Sequence, residues 1–174
     1  MIEPLRIGHA VLGVRNLERS RKFYTEILGA KVRKTYPEVK MVFLACGDHD
    51  HHELALAEVG DNAPGPLNKG VGLFHLAFRL HDWAHLQAAY RELKEKGVTI
   101  VGMVDHNITR SVYFLDPDGN QLEVYCDNPR WREVIGTNRS EPLDPEGPEP
   151  EAVRTSEFNV APARSSASAN TATK

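Results

Sequence analysis

The feature that most constrains the fold is an internal repeat, in which one order of strand and helix patterns occurs twice. The first copy opens with the apolar run Ile7–Val14, and Asn16 is placed to cap a helix that extends to Leu28 and ends at Gly29. Three short strand-like runs follow, at about 30–35, 40–46 and 53–59. This pattern predicts a β-α-β-β-β unit.

The second copy repeats this order further along the chain. It opens with the apolar run Val71–Leu80, and Asp82 is placed to cap a helix that Gly97 ends. Further strand-like runs lie at about 98–103, 110–115 and 120–126. His9 and His75 occupy matching positions in the first strand of the two copies. We therefore predict an α+β fold built from two repeats, at about 5–60 and 70–127.

The composition changes sharply near Gly136. Residues 137–174 contain five of the eleven prolines, many Ser, Ala and Thr residues, and almost no large apolar residues. Such a segment buries too little apolar surface to offset the entropy lost when it is ordered. We predict one folded domain at residues 1–136 and a disordered tail at 137–174.

Charge and composition narrow the partners and the compartment. The formal net charge of −3 and the pI near 6.2 give no reason to expect binding to nucleic acid or to an anionic membrane. No run approaches the roughly 20 apolar residues of a membrane span, and the N-terminus does not resemble a leader. The two cysteines imply no disulfide framework. We expect a cytoplasmic protein.

Strand alternation puts three candidate metal ligands on equivalent faces. Positions 74, 76, 78 and 80 are all apolar and predict the face that a helix covers, so His75 points the other way. The same rule turns His9 away from the helices, and Glu123 points with the histidines because Leu122 and Val124 point to the helices. Two imidazoles and one carboxylate leave open positions on a metal ion, an arrangement typical of non-heme Fe(II) oxygenases.

With these residues, the sequence resembles the vicinal oxygen chelate superfamily, which includes glyoxalases, bleomycin-resistance proteins and extradiol dioxygenases. Members pair two β-α-β-β-β units into one bowl-shaped mixed sheet that holds a metal. The likeness covers about residues 5–127 and is greatest to one-domain type I extradiol catechol dioxygenases. The resemblance implies that His9, His75 and Glu123 are the metal ligands, with Fe(II) as the metal. Mn(II) accepts the same ligand set and stays open as an alternative.

Three further positions match residues that act on the substrate in this family. The segment His52-Glu-Leu-Ala-Leu56 resembles the one that carries the acid–base histidine, although strict alternation from Ala55 requires a bend at His52. Tyr113 stands ten positions before Glu123, as in the family pattern, and His106 matches a substrate-facing histidine. The resemblance therefore implies a catechol 2,3-dioxygenase-like oxidoreductase, in which these two histidines and the tyrosine are catalytic and O2 is inserted into an aromatic diol.

Three alternatives on the same fold stay open. A glyoxalase I-like isomerase uses a fourth ligand at the end of the first unit, where the repeat alignment places Ala55, with Glu53 and Glu58 nearby. A fosfomycin-type thiol transferase needs only two histidines and a glutamate, which leaves His52 and Tyr113 without an evident purpose. A metal-free binding protein of the bleomycin-resistance kind has no need for the three ligands together.

Two expectations concern partners of this site. Exposed sheet edges in so small a bowl favour a homo-oligomer. Arg110 lies between His106 and Tyr113 in the sequence and is a candidate contact for an acidic substituent of the substrate.

Overall fold

The computed structural model of the chain describes residues 1–66, 71–137 and 139–153. The first repeat consists of β1 (Ala10–Val14), α1 (Leu17–Glu26), β2 (Lys31–Tyr36), β3 (Met41–Ala45) and β4 (Leu54–Glu58). The second repeat consists of β5 (Leu76–Arg79), α2 (Trp83–Glu95), β6 (Ile100–Asp105), β7 (Thr109–Leu115) and β8 (Gln121–Asp127). A one-turn helix α3 (Trp131–Val134) and a two-residue strand β9 (Glu141–Pro142) follow.

The strands form two mixed sheets, one for each repeat. Their strand orders are β1-β4-β3-β2 and β5-β8-β7-β6-β9. In each sheet the first strand of the repeat pairs in parallel with the last, whereas all other neighbours are antiparallel. This arrangement confirms the predicted α+β fold of the vicinal oxygen chelate type. Within the described residues the two sheets are not joined by strand pairing, so the halves of the predicted bowl are separate sheets.

The two long helices begin and end where the sequence indicates. The side chains of Asn16 and Asp82 each accept a hydrogen bond from the backbone N–H three residues on. After each helix a glycine takes the left-handed conformation, with φ 65° at Gly29 and 66° at Gly97. None of the helices among the described residues has the length and apolar character that crossing a membrane requires.

One hydrophobic core lies between the helices and the sheets and draws side chains from both repeats. Its fully buried members are Val14, Tyr24, Val42, Leu44, Leu56, Leu86, Val112, Phe114, Leu122 and Cys126. These strand residues alternate with residues that point to the opposite side of each sheet. We call that opposite side the site face.

The turn Asp116–Gly119 joins the second repeat to the first. The buried carboxylate of Asp118 accepts hydrogen bonds from the backbone N–H of Arg15 (3.2 Å), the hydroxyl of Ser20 (3.2 Å) and the guanidinium of Arg19. Burial alone would raise the pKa of Asp118, but these hydrogen bonds hold it below its ordinary value. The carboxylate therefore stays charged and ties the end of β1 and the start of α1 to the second repeat.

Residues 139–153, which the sequence analysis assigned to the tail, pack against the second repeat in this structure. Strand β9 pairs with β6, and Leu143 is buried in the core. The side-chain amide of Gln87 on α2 donates to the carbonyls of Pro145 and Gly147, at 3.0 Å each. The amino-acid composition does not indicate this packing, because the segment is held mainly through its backbone groups and buries one large apolar side chain, Leu143. The rest of the predicted tail, 154–174, lies outside the described residues.

We expect Asp118→Ala to lower the free energy of unfolding by about 2–3 kcal/mol, because the cations of Arg15 and Arg19 lose their buried partner. Asp61→Ala removes an exposed carboxylate and serves as the control. It should change the free energy of unfolding by less than about 0.5 kcal/mol. Urea unfolding at pH 7 measures both. The pKa of Asp118 is lower in the folded than in the unfolded protein. The contribution of Asp118 to stability is therefore present above the unfolded pKa of about 3.9, and it is lost as the pH falls through the folded pKa. Equal effects of the two variants at pH 7 would contradict this role of Asp118.

Candidate metal centre and substrate site

Strands β5 and β8 bring His75 and Glu123 together. Glu123 lies opposite Ala77 in the parallel pair, and His75 precedes the first residue of β5. The Nε2 atom of His75 is 3.0 Å from Oε2 of Glu123. Adjacent ligands that each lie about 2.1 Å from one octahedral ion are about 3.0 Å apart. The two side chains are thus in direct hydrogen-bonding contact, at a separation that neighbouring ligands of one metal ion also have.

The burial of this pair also fits a cation. Glu123 is 6% exposed, and an ionised carboxylate at such a position is costly unless positive charge compensates it. The Nδ1 atom of His75 is buried and has no hydrogen-bond partner within the described part of the chain. A divalent metal bound to His75 Nε2 and Glu123 Oε2 would bring positive charge to this buried carboxylate.

Tyr113 and His106 extend the pair into a cluster of four side chains. Tyr113 lies directly across from Glu123 in the antiparallel β7–β8 pair, so both point to the site face. Its ring centre is 5.4 Å from that of His75, and its hydroxyl oxygen is 3.0 Å from Nε2 of His106. Burial, followed by the charge of Glu123, raises the pKa of Tyr113, so the phenol keeps its proton at neutral pH. We call these four residues the second-repeat cluster.

His9 and His52 form another group, in the first repeat. Their ring centres are 4.6 Å apart, and the ring of Phe43 packs edge-on against His52 at 4.7 Å. His52 therefore lies on the same side as His9, and the chain bends around it before β4, as the alternation required. Burial, followed by the neighbouring His51 and His9, lowers the pKa of His52. Its imidazole is therefore suited to accept a proton at neutral pH.

The single chain does not bring the two groups into one metal site. Within residues 1–66, 71–137 and 139–153, no group of three or more His, Cys, Asp or Glu residues is arranged to hold a metal ion. His9 is exposed just before β1, in ring contact with His52. Two of the three predicted ligands, His75 and Glu123, are thus neighbours, and the third lies in the other group.

The first repeat has no carboxylate at the position equivalent to Glu123. In the parallel β1–β4 pair, Ala55 lies opposite Val11, just as Glu123 lies opposite Ala77 in β5–β8. The strand register therefore makes Ala55 the equivalent of Glu123, as the repeat alignment does. The buried methyl group of Ala55 offers no ligand atom.

The carboxylates of the two nearby glutamates, Glu53 and Glu58, form hydrogen bonds within the first repeat. Glu53 accepts a hydrogen bond from the backbone N–H of Cys46 at 3.0 Å. Glu58 accepts one from the backbone N–H of Leu17 at 3.0 Å and pairs with the ammonium group of Lys40. Both carboxylates therefore have structural partners in the first repeat.

Arg110 does not face the site, so the expectation that it contacts a substrate is wrong. It alternates with Tyr113 along β7 and lies buried on the same side as Phe114, toward the core. Its guanidinium donates to the carbonyl of Pro150 and lies 3.2 Å from the carboxylate of Glu149. Arg110 therefore holds the C-terminal segment in place. Strand alternation alone could have shown that its side chain points away from the site face.

Two residues that the sequence analysis did not single out contact the site. Phe43 packs on His52, and its position could have been read from β3, where Val42 and Leu44 point to the core. Ser140 places its hydroxyl 3.5 Å from Nδ1 of His106. No sequence signal indicated Ser140, because it lies in the segment expected to be disordered.

A sequence profile described as the Glyoxalase/Bleomycin resistance protein/Dioxygenase superfamily matches residues 6–124. The chain belongs to this superfamily. The match spans both repeats. It includes all the candidate site residues named above except Ser140.

Curated relatives of this superfamily member differ in activity. Biphenyl-2,3-diol 1,2-dioxygenase 3 of Rhodococcus globerulus is 36% identical over 71% of this chain and 64% of its own length. Catechol-2,3-dioxygenase of Bacillus subtilis is 36% identical over 74% of this chain and 44% of its own length. A lactoylglutathione lyase of Neisseria meningitidis is 33% identical over 68% of this chain and 88% of its own length. The chain thus spans about half to two thirds of the length of the two dioxygenases.

Solved structures show the same fold. The crystal structure of a glyoxalase/dioxygenase from Nostoc punctiforme is 27% identical, with a TM-score of 0.60, and covers 74% of this chain and 97% of its own. This likeness extends over both repeats and supports the superfamily assignment.

The geometry of the second-repeat cluster predicts which carboxylate a divalent metal requires. Glu123→Ala should abolish stoichiometric binding of Fe(II) added anaerobically, because it removes the buried candidate ligand beside His75. Glu53→Ala, the matched control, should bind metal as the unchanged protein does, because its carboxylate bonds the backbone of Cys46. Metal analysis after desalting measures both. Equal metal content in the two variants would contradict this assignment.

Proposed function

We propose that this protein is an extradiol dioxygenase that cleaves a catecholic ring next to the diol, using a metal held by His9, His75 and Glu123. The observation that carries the proposal is the second-repeat cluster. A histidine and a buried glutamate at ligand spacing share one face with a tyrosine and a second histidine that are hydrogen-bonded to each other. The relatives named as dioxygenases of biphenyl-2,3-diol and of catechol support the same substrate class.

A divalent metal, Fe(II) with Mn(II) as the alternative, would supply a Lewis-acid site that binds the diol oxygens and a redox centre for O2. His75 Nε2 and Glu123 Oε2 would hold it from the second repeat, and His9 would complete the set. The two histidines and one carboxylate leave open coordination positions for both substrates.

The protein's own side chains bind the substrate and move its protons. Tyr113 keeps its phenol proton because its pKa is raised, and it donates a hydrogen bond to a diol oxygen. His106, bonded to the Tyr113 hydroxyl, fixes the direction of that donor. His52 accepts a proton from a diol hydroxyl at Nε2, an atom that is buried and has no hydrogen-bond partner in the described part of the chain.

We infer that His9 reaches the His75–Glu123 pair from a second copy of the chain. Ile7, two residues before His9, is 91% exposed, and Phe74, next to His75, is 76% exposed. The strands that follow, β1 and β5, are edge strands of their sheets. Exposed apolar side chains beside unpaired edges mark a protein interface. A two-fold dimer that pairs the β1 edge of one copy with the β5 edge of the other would complete two sites.

The rival functions fit the site less well. An isomerase of the lactoylglutathione lyase kind needs a carboxylate where the first repeat has Ala55, and both nearby glutamates are bound elsewhere. A thiol transferase would leave His52 and Tyr113 without a role. A metal-free binding protein would have no need to place His75 at ligand spacing beside the buried carboxylate of Glu123.

The proposed function predicts oxygen uptake and a yellow ring-cleavage product from a member of a catechol panel, after anaerobic loading with iron. His52→Phe should keep its metal but lower the turnover rate by about a hundredfold or more, because the proton acceptor is lost. His85→Phe, at an exposed position on α2, serves as the matched control and should leave the rate unchanged. Hemithioacetal isomerisation without oxygen uptake, or full activity of His52→Phe, would refute the proposal.

The shared site predicts that two defective variants complement each other. His9→Ala and Glu123→Ala should each bind no metal, but a refolded equimolar mixture should regain about one quarter of the sites, because half of the dimers are hybrids with one intact site of two. Metal content and oxygen uptake of the mixture measure the recovery. No recovery in a mixture that forms dimers would mean that His9 acts within its own chain.

A further inference from the structure

The turn between β6 and β7, which carries His106, has an unusual conformation. Asn107 follows His106 and has φ 68°, in the left-handed region that a residue other than glycine seldom adopts. Asn107 is almost completely buried, whereas His106 is half-buried. The backbone N–H of His106 donates to the carbonyl of Thr109 at 2.9 Å. Such a turn persists only where its surroundings hold it.

The C-terminal segment supplies that support at Asn107. The side-chain amide of Asn107 donates to the hydroxyl of Thr137 and to the carbonyl of Val153, both at 2.8 Å. Its side-chain carbonyl accepts the backbone N–H of Val153 at 2.9 Å. Asn107 thus pairs with both backbone groups of Val153, as a neighbouring strand would.

The residue before His106 is also held by this segment. Asp105 is buried, and its Oδ1 atom accepts the backbone N–H of Asn107 at 2.7 Å. Its Oδ2 atom lies 3.6 Å from the guanidinium of Arg139, an ion-pair distance that is too long for a hydrogen bond. Strand β9 pairs with β6 at this point, with Glu141 opposite Asp105.

His106 itself is contacted on both ring nitrogens. Nε2 faces the Tyr113 hydroxyl at 3.0 Å, within the site. Nδ1 faces the hydroxyl of Ser140 at 3.5 Å, at the long end of hydrogen-bonding distances. The nitrogen that carries the proton is set by the bonds that the two nitrogens make, so a partner on Nδ1 influences what Nε2 offers to Tyr113.

We propose that Thr137 and residues 139–153 are a positioning element of the active site, which fixes the 105–107 turn and orients the imidazole of His106 through Ser140. This inference rests on the proposed function for the role of His106 in catalysis, but the positioning itself does not. Three consecutive residues, Asp105, His106 and Asn107, are each contacted by this one segment. A change in the segment therefore reaches the site without contact with the substrate.

The first test compares Ser140→Ala with Ser140→Thr, which keeps a hydroxyl, in the full-length chain. Nitrogen NMR of the His106 ring in the metal-free protein should show one protonated and one unprotonated nitrogen. Ser140→Ala should draw the two signals together, because the tautomers mix, and Ser140→Thr should restore the original spectrum. Glu146→Gln, which cuts a contact of the same segment with Lys94 on α2, is the matched control and should leave the spectrum unchanged.

The same variants give a kinetic readout in the iron-loaded protein. Ser140→Ala should lower kcat about fivefold and leave KM within about twofold, because the lost hydrogen bond orients a catalytic group. An unchanged His106 spectrum in Ser140→Ala would overturn the proposed orientation by Ser140. A changed spectrum in a protein that turns over no catechol would uphold the positioning and refute only the proposed function.

The second test removes the support at Asn107. Asn107→Gly tolerates the left-handed φ but loses the bonds to Thr137 and Val153. Amide hydrogen exchange at residues 105–109 should become at least about tenfold faster, whereas exchange in α2 should stay unchanged, which also reports that the variant folds. Unchanged exchange at the turn in the folded variant would overturn the proposal that the segment fixes it.

Discussion

The arrangement of the candidate site depends on one buried contact, between the imidazole of His75 and the carboxylate of Glu123. The parallel pairing of β5 with β8 creates it, because the register sets Glu123 opposite Ala77 and thus close to the residue that enters β5. A carboxylate with 6% exposure is costly in a protein interior unless a cation offsets its charge. Because of this cost, a bound metal would stabilise the fold in addition to its role in the proposed reaction. Tyr113 lies across from this carboxylate, and its hydroxyl is in turn hydrogen-bonded to His106.

The two repeats have different shares in the proposed chemistry. The second repeat holds two ligands and the two groups that would orient the substrate, whereas the first supplies His9 and the proton acceptor His52. Within one chain the two repeats are connected by the shared hydrophobic core and by the hydrogen bonds of Asp118 to the end of β1 and the start of α1. Assembly of the complete site therefore depends on how the exposed edges of β1 and β5 are covered.

Much of the fold could be predicted from the sequence, because local signals and apolar periodicity agreed. The helix caps at Asn16 and Asp82 and the glycines at 29 and 97 gave the helix limits. Alternation gave the direction of Glu123, the family resemblance singled out Tyr113, and repeat symmetry gave the equivalence of Ala55 and Glu123.

Other features depend on contacts that periodicity does not encode. The segment 139–153 is held through backbone groups by Gln87, Asn107 and Arg110, so its composition resembled that of a disordered tail. The separation of His9 from the His75–Glu123 pair reflects the packing of two separate sheets, which alternation within one strand cannot reveal. The role of the turn Asp116–Gly119 in joining the repeats follows only from its partners on α1.

The most direct test of the central claim is a crystal structure of the Fe(II)-loaded protein, with the metal located by anomalous scattering at the iron edge. The account predicts one iron bound by Nε2 of His75 and an oxygen of Glu123 from one chain and by His9, with the His9 ring supplied by a second copy. It also predicts open positions that a catechol fills when soaked without oxygen. An iron bound elsewhere, or bound at this pair without any His9, would contradict it.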